Sequence, residues 1–255
     1  MNSEIGILWP ALAAGLLVVA THVPLGIRVL ERGIVFIDLA VAQFAALGVV
    51  VASWAGLAPD GAAVQVAALG AALAGALALN WSERRWPEVQ EAVIGVSFVL
   101  AANAAILVLA ANPHGAEHLK ELLTGQILWV SPARLPLAAL VSAGVLALWF
   151  GLGERAGRTG FYVLFAVAVT LSVQLVGIYL VFATLIIPAL ATRTVRRRRL
   201  AAAYGLAAMG YAAGLALSIF TDLPAGPLLV CVLGLFGACL MGFGGRKALS
   251  GNPQG

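Results

Sequence analysis

The sequence has very few charged residues for its length, and this shortage excludes most soluble folds. Only 10% of its 255 residues are Asp, Glu, Lys or Arg, whereas soluble domains contain about 25%. Hydrophobic residues make up 62% of the chain. Because so much apolar surface can be covered only by lipid, we predict an integral membrane protein.

The sequence also lacks the motifs on which most enzymes depend. It contains no Walker loop, nucleophile elbow, HExxH pair or dinucleotide fingerprint. Its two cysteines, Cys231 and Cys239, both lie in the last apolar run and predict core packing rather than a disulfide framework. We therefore expect a chain that is not an enzyme and binds no cofactor, and any ATP-driven step would need another chain.

Apolar runs long enough to cross a membrane follow one another along the chain. They are Ile5–Val23, Ile34–Trp54, Ala62–Asn80, Ala92–Ala111, Leu135–Leu152, Phe161–Ala191, Leu200–Phe220 and Pro227–Gly242. One helical crossing takes about 20 residues, so Phe161–Ala191 is too long for one span. Its Gly177 and Pro188 favour either two short spans or one span plus a re-entrant half-helix packed inside the protein.

These runs predict an all-α, polytopic transmembrane bundle of about eight to nine spans. We expect residues 1–250 to form a single domain and residues 251–255 to form a frayed tail. The basic residues favour one orientation, because they lie on alternate connections and mark the cytoplasmic side. They are Arg28 and Arg32, Arg84 and Arg85, Arg155 and Arg158, Arg193 with Arg196–Arg199, and Arg246 with Lys247. The N-terminus is then outside and the C-terminus inside, and the net charge of +4 does not indicate nucleic-acid binding.

Polar residues inside the apolar runs are the first candidates for function, because they are costly in lipid. Asp38 and Gln43 both fall in the second run, and His22 ends the first run at the expected interface. Asp38 could instead cap a helix or pair with Arg32. Gln43 is more simply explained by an interhelical hydrogen bond than by metal ligation.

The stretch HGAEHLKE gathers imidazoles and carboxylates on one connection that the predicted topology puts outside. In a helix, His114, Glu117, His118 and Glu121 would share one face. Such a face can bind a divalent ion loosely. The alternative is a solvated amphipathic face at the membrane surface, with Lys120 paired to a glutamate.

Four separated segments resemble a known family. They are PLGIRVLERGIVFIDLAVAQFAALG, LLTGQILWVS at Leu122–Ser131, VGIYLVFATLIIPALATR at Val176–Arg193 and LSIFTDLPAGP at Leu217–Pro227. In this order and over most of the chain, they resemble the permease subunits of the bacterial ABC importers for zinc, manganese or iron, the ABC-3 family.

The resemblance implies a transport complex in the bacterial inner membrane. Two copies of the chain would enclose a path for a divalent metal ion, which is cargo rather than a cofactor. A pair of ATP-binding subunits would drive the change of state, and an extracytoplasmic metal-binding protein would deliver the ion. Membrane lipid would surround the permease, and no nucleic acid is involved. Asp38, Gln43 and Asp222 are the side chains expected along the path.

Two segments depart from the family pattern. When Gly26 and Gly48 are aligned, Gln43 replaces the family's histidine and Leu39 its aspartate, with Asp38 one residue earlier. The cytoplasmic coupling segment is reduced to LGERAGRTGF, in which Ala156 and Gly160 keep the family spacing. Glu154, Arg155, Ala156 and Gly160 are the residues expected to meet the ATPase.

Two other classes of protein remain open from the residues alone. A secondary transporter would need no ATPase and should show paired broken helices in two halves, whereas only one clear break is visible, around Gly177 and Pro188. A membrane scaffold or an intramembrane enzyme is the other class. An enzyme would need convergent titratable groups, and the apolar runs contain few.

Overall fold

A computed structural model describes residues 2–58, 61–109, 127–221 and 223–249, and within these ranges it describes all side chains except those of 2–7, 154 and 243–249. In these ranges the chain forms nine α-helices and no strand. They are α1 (Asn2–Arg32), α2 (Ile37–Trp54), α3 (Ala62–Arg85), α4 (Gln90–Leu109), α5 (Leu135–Leu152), α6 (Gly157–Val176), α7 (Ile178–Ala191), α8 (Arg199–Thr221) and α9 (Ala225–Leu249). The all-α prediction is confirmed.

Eight of these helices are long and apolar enough to cross a membrane, and α7 is the exception. Its 14 residues extend about 21 Å at 1.5 Å per residue, less than the hydrocarbon thickness of about 30 Å. The long run Phe161–Ala191 is therefore one full-length helix followed by a short one. The break is at Gly177, whose φ of 84° and ψ of 162° suit glycine and few other residues.

The first helix is longer than the apolar run predicts, because it continues through Pro24 to Arg32. A proline inside a helix cannot donate a hydrogen bond to the carbonyl four residues earlier, here that of Ala20. Tyr204 of α8 replaces the missing donor, and its hydroxyl lies 2.8 Å from the Ala20 oxygen. The helix can therefore accommodate Pro24 while it packs against α8.

Gly33 ends α1 and turns the chain back towards α2. Its φ is 69°, and its N–H and that of Ile34 donate to the carbonyls of Leu30 and Val29, each at 3.3 Å. This pair of bonds is a Schellman motif, which satisfies carbonyls at a helix end. Ile34 is buried directly after it. Arg32 is consequently held in the last turn of α1.

Small residues let the helices cross at close range, as is usual in membrane bundles. A Cβ at Gly26 of α1 would collide with the carbonyl oxygen of Leu185 in α7. A Cβ at Gly48 of α2 would lie 2.6 Å from the carbonyl oxygen of Ala67 in α3. Both glycines belong to the first segment that resembles the ABC-3 family, so this motif contributes to packing.

The connections that carry basic residues meet at one end of the bundle, which we call the basic end. There Glu83 of α3 pairs with Arg32 of α1 and Arg158 of α6. Glu91 of α4 accepts a hydrogen bond from the backbone N–H of Phe36 at 3.2 Å. Arg199, at the start of α8, pairs with Glu31 of α1 at 3.0 Å. The positive-inside rule predicts that this end faces the cytoplasm.

The cysteines do not pack in the core, which corrects the sequence interpretation. Cys231 and Cys239 are both free and exposed on α9. An outer helix of a membrane bundle presents apolar side chains to lipid, so an apolar run does not distinguish a core position from a lipid-facing one. His22 is also corrected, because it is fully buried rather than interfacial.

The contact between Gly26 and Leu185 predicts a large difference between two glycine substitutions. Gly26→Ala should lower the free energy of unfolding by about 1–3 kcal/mol, because the added methyl group meets a backbone carbonyl that cannot move alone. Gly70→Ala on α3, where a Cβ meets nothing within 4 Å, should be neutral or slightly stabilising. Unfolding in detergent measures both, and equal effects would contradict the close crossing of α1 and α7.

Candidate functional site

The segment predicted to meet an ATPase lies at the basic end, between α5 and α6. It consists of a 3₁₀ turn, Gly153–Ala156, followed at once by the first turn of α6. Gly153 and Gly157 have φ values of 51° and 63°, which glycine adopts without steric cost. The chain can therefore turn sharply twice within a few residues. We call residues 153–160 the coupling segment.

The spacing of Ala156 and Gly160 corresponds to a direct contact. A Cβ at Gly160 would lie 2.8 Å from the Cβ of Ala156, so any larger residue would force the 3₁₀ turn away from α6. The side chain of Arg155, one residue earlier, is exposed. The segment thus has a tightly packed inner side and a charged residue at its surface.

Thr159 attaches the coupling segment to the last turns of α3. Its hydroxyl oxygen accepts hydrogen bonds from Asn80 Nδ2 at 3.1 Å and from the Arg84 guanidinium at 2.7 Å. Both donors lie on one side of α3, since they are four residues apart. This explains why Thr159 is half-buried although it sits at a helix end.

Ion pairs of the Glu83 carboxylate also attach the coupling segment to α3. Its carboxylate lies 3.6 Å from Arg158 Nε and 4.0 Å from an Arg32 guanidinium nitrogen. Both distances exceed those of good hydrogen bonds, so the attraction is Coulombic. The Arg32 guanidinium also lies over the Phe161 ring, 4.4 Å from its centroid, where the ring quadrupole attracts a cation. One carboxylate therefore joins the ends of α1, α3 and α6.

Asp38 lies in the first turn of α2 and is completely buried within the chain. Among the residues that the structure describes, neither of its carboxylate oxygens has a hydrogen-bond partner. Arg32 pairs with Glu83 instead, and the side chain makes no capping hydrogen bond. The described contacts therefore support neither helix capping by Asp38 nor its pairing with Arg32. A buried carboxylate without partners is energetically costly.

Gln43 is buried as well, with 3% exposure, and its side-chain oxygen also has no partner in the described part of the chain. The interhelical hydrogen bond predicted for Gln43 is therefore not made through this oxygen among the described residues. Five residues separate Gln43 from Asp38, which corresponds to about 140° around a helix. The two side chains leave α2 in different directions, so α2 does not present them as one pair of ligands.

Several predicted site residues lie outside the described residues. These are Asp222, His114, Glu117 and His118, together with the side chain of Glu154. Within the described ranges, no group of three or more His, Cys, Asp or Glu side chains is arranged to hold a metal. The metal ligands proposed from sequence therefore stay predictions.

The sequence interpretation missed two features, which lie at opposite ends of the bundle. It assigned no role to Glu83, although the sequence SERR places one acidic residue beside two basic ones at the end of α3. It also missed Ser218, whose hydroxyl donates to the Leu223 carbonyl at 2.8 Å and closes the turn between α8 and α9. The serine of the LSIFTDLPAGP segment therefore shapes this turn.

The sequence matches the ABC 3 transport family over residues 4–155 and 147–242. The match covers most of the chain, so the protein belongs to this family, and the resemblance seen in its motifs is confirmed. It is a multi-pass membrane protein and a transport subunit rather than an enzyme.

Two solved structures share the fold. PsaBC from Streptococcus pneumoniae, in complex with Fab, superposes with a TM-score of 0.74 at 19% identity, covering 92% of this chain and 90% of that chain. An inward-facing metal-chelate type ABC transporter superposes with a TM-score of 0.67 at 15% identity, covering 94% of this chain and 85% of that chain. At these identities the likeness establishes the fold alone. No curated protein matches the sequence.

The ion pairs of Glu83 predict that its loss releases the coupling segment. Glu83→Gln should lower the free energy of unfolding by about 1–3 kcal/mol, because Arg32 and Arg158 lose their shared counter-charge. Backbone amides of residues 153–160 should then exchange hydrogen faster. Glu88→Gln removes an exposed acid at the same end and is the matched control. Equal exchange in the two variants would show that Glu83 does not hold the segment.

Proposed function

We propose that the chain is the permease subunit of an ATP-driven importer of divalent metal ions, with zinc, manganese or iron as cargo, in the bacterial inner membrane. The observation that carries the proposal is the family match over most of the chain. The fold shared with PsaBC and with a metal-chelate type ABC transporter agrees with it. Asp38 is buried and has no hydrogen-bond partner among the described residues, which supports a cationic cargo.

The energy for transport comes from a separate pair of ATP-binding subunits in this proposal. The coupling segment is the place where they would act, through Glu154, Arg155, Ala156 and Gly160. Support comes from its position at the basic end and from its attachment to α3 through Thr159. A movement of the segment would be transmitted directly to α1 and α3, because Glu83 of α3 pairs with Arg158 of the segment and with Arg32 of α1.

The route of the ion would run past Asp38, Gln43 and Asp222, between two copies of the chain. A permease needs weak, transient ligands, since a tight site would not release the ion. Carboxylate and amide oxygens meet this need better than a closed set of imidazoles and thiolates. Asp38 is sealed within one chain in this conformation, so transport requires a change of state that opens a path to it.

Delivery would take place at the end opposite the coupling segment. An extracytoplasmic metal-binding protein would bring the ion there, and His114, Glu117 and His118 would form an auxiliary capture site at the entrance. The alternation of basic connections supports this side for HGAEHLKE. The capture site would matter when metal is scarce and would be dispensable when metal is abundant.

Because Asp38 is buried without a hydrogen-bond partner in the described part of the chain, its replacement should impair function without lowering stability. In proteoliposomes that contain the permease and its ATP-binding partner, Asp38→Asn should lower ATP-dependent uptake of zinc or manganese on the order of tenfold, as expected when one charged ligand contributes about 1.4 kcal/mol. Its stability should stay equal or rise, because a neutral amide is cheaper to bury than an ionised carboxylate.

Gln43→Met is the matched comparison, since it removes a buried amide of similar size from the same helix. It should lower uptake less than Asp38→Asn does, because an amide offers the ion a dipole rather than a charge, and liposomes without the ATP-binding partner should show none. Unchanged uptake in Asp38→Asn would remove Asp38 from the path. Uptake without any ATP-binding subunit would contradict the proposed importer.

A further inference from the structure

The first turn of α4 contacts two different parts of the bundle. Gln90 and Glu91 are its first two residues, and neighbouring residues on a helix point about 100° apart. Gln90 is buried and Glu91 is partly buried. One helical turn can therefore hold two elements of the bundle at once.

Gln90 joins α4 to α3 and α6. Its side-chain amide donates to the Leu79 carbonyl at 3.0 Å and to the Tyr162 hydroxyl at 3.3 Å, and its side-chain oxygen accepts from the Ser82 hydroxyl at 2.8 Å. Tyr162 is fully buried. It follows Arg158 of the coupling segment by four residues, so both lie on one side of α6. The turn is therefore attached to the helix that begins within the coupling segment.

Glu91 joins the same turn to the start of α2. Its carboxylate accepts the hydrogen bond from the Phe36 N–H at 3.2 Å, and Phe36 is the residue directly before α2. Asp38 lies two residues further on, in the first turn of that helix. The second carboxylate oxygen of Glu91 is buried and has no hydrogen-bond partner in the described ranges. The attachment of α2 to α4 at this point therefore depends on one carboxylate oxygen.

We propose that Glu91 is a positioning residue for Asp38, and that the first turn of α4 transmits movement of the coupling segment to the start of α2. This inference rests on the proposed function, in which ATP-binding subunits move the segment and the ion passes Asp38. Glu91 itself does not contact the ion.

The contacts form a continuous route, which is what such coupling requires. From α6 they run through Tyr162 and Gln90 to α4, and they continue through Glu91 to Phe36. The ion pairs of Glu83 reach α1 and α3, and this route adds α2. Because Asp38 is completely buried, an ion can reach it only if its surroundings move.

Hydrogen exchange in the purified full-length chain tests the attachment of α2 without a transport assay. Glu91→Ala should speed exchange of the backbone amides at residues 36–39 about fivefold, as the loss of one hydrogen bond implies. Glu91→Gln should exchange like the wild type, because its amide oxygen can accept the same bond. Glu88→Ala removes an exposed carboxylate three residues earlier and is the matched control. Equal exchange in all three variants would overturn the proposal.

The transmission is measured as ions taken up per ATP hydrolysed, in proteoliposomes that contain the ATP-binding partner. Glu91→Ala should lower this ratio on the order of fivefold while hydrolysis continues, because the moving segment no longer moves Asp38. Glu91→Gln should keep the wild-type ratio, and so should Glu88→Ala. A merely structural role for Glu91 would lower uptake and hydrolysis in equal proportion, and that result would contradict the positioning role.

Tyr162→Phe tests whether the two contacts of α4 belong to one route. It removes the hydroxyl that accepts from Gln90, keeps the ring, and should also lower the ratio. Because both changes interrupt the same route, the double variant Tyr162→Phe with Glu91→Ala should be no worse than Glu91→Ala alone. Additive losses would overturn the route through α4. If the wild-type complex takes up no ion with ATP, the proposed function is wrong and the transmission with it, whatever the exchange shows.

Discussion

The Glu83 carboxylate determines how the basic end of this bundle is assembled. The positive-inside rule requires arginines at every connection on one side of the membrane, and helices packed together bring those charges close to each other. Glu83 offsets two of them at once, with Arg158 at 3.6 Å and Arg32 at 4.0 Å. Glu31 does the same for Arg199 at 3.0 Å. The arginines that set the orientation can therefore lie close together where the helix ends pack.

The position of the coupling segment follows from the ion pairs of Glu83. α6 begins within the segment, at Gly157, and α3 holds both Thr159 and Arg158. The segment is short, yet it is joined to the ends of α1 and α3 rather than suspended between α5 and α6. In the proposed importer, this attachment to neighbouring helices would let a short coupling segment transmit force despite its small contact surface.

Helix number and span limits could be predicted well from the sequence, because lipid imposes a strong length constraint. Leu135–Leu152 is reproduced to the residue, and the break inside Phe161–Ala191 falls at Gly177. The continuation of α1 past Pro24 could not be predicted, since it depends on the hydroxyl of Tyr204, a residue far away in the chain. A contact between residues so far apart in the chain leaves no local sequence pattern from which it could be predicted.

In the candidate site, too, contacts between residues near in sequence could be predicted, whereas contacts between distant residues could not. The contact of Ala156 with Gly160 follows from four-residue spacing and could be predicted. The helical period also separates Asp38 from Gln43 by about 140°, although the motif resemblance places both along one path. The joining of Arg32 and Arg158 through Glu83 could not be predicted, because three separate helices contribute to it.

Cross-linking between the permease and its ATP-binding partner tests the central claim most directly. Arg155→Cys, in a chain whose Cys231 and Cys239 are replaced by alanine, places one thiol on the exposed surface of the coupling segment. It should cross-link to the ATP-binding subunit in membranes. Trp54→Cys, at the opposite end and 71% exposed, should not. Cross-linking from position 54 alone, or labelling of position 155 from outside intact cells, would contradict both the sidedness and the role of the coupling segment.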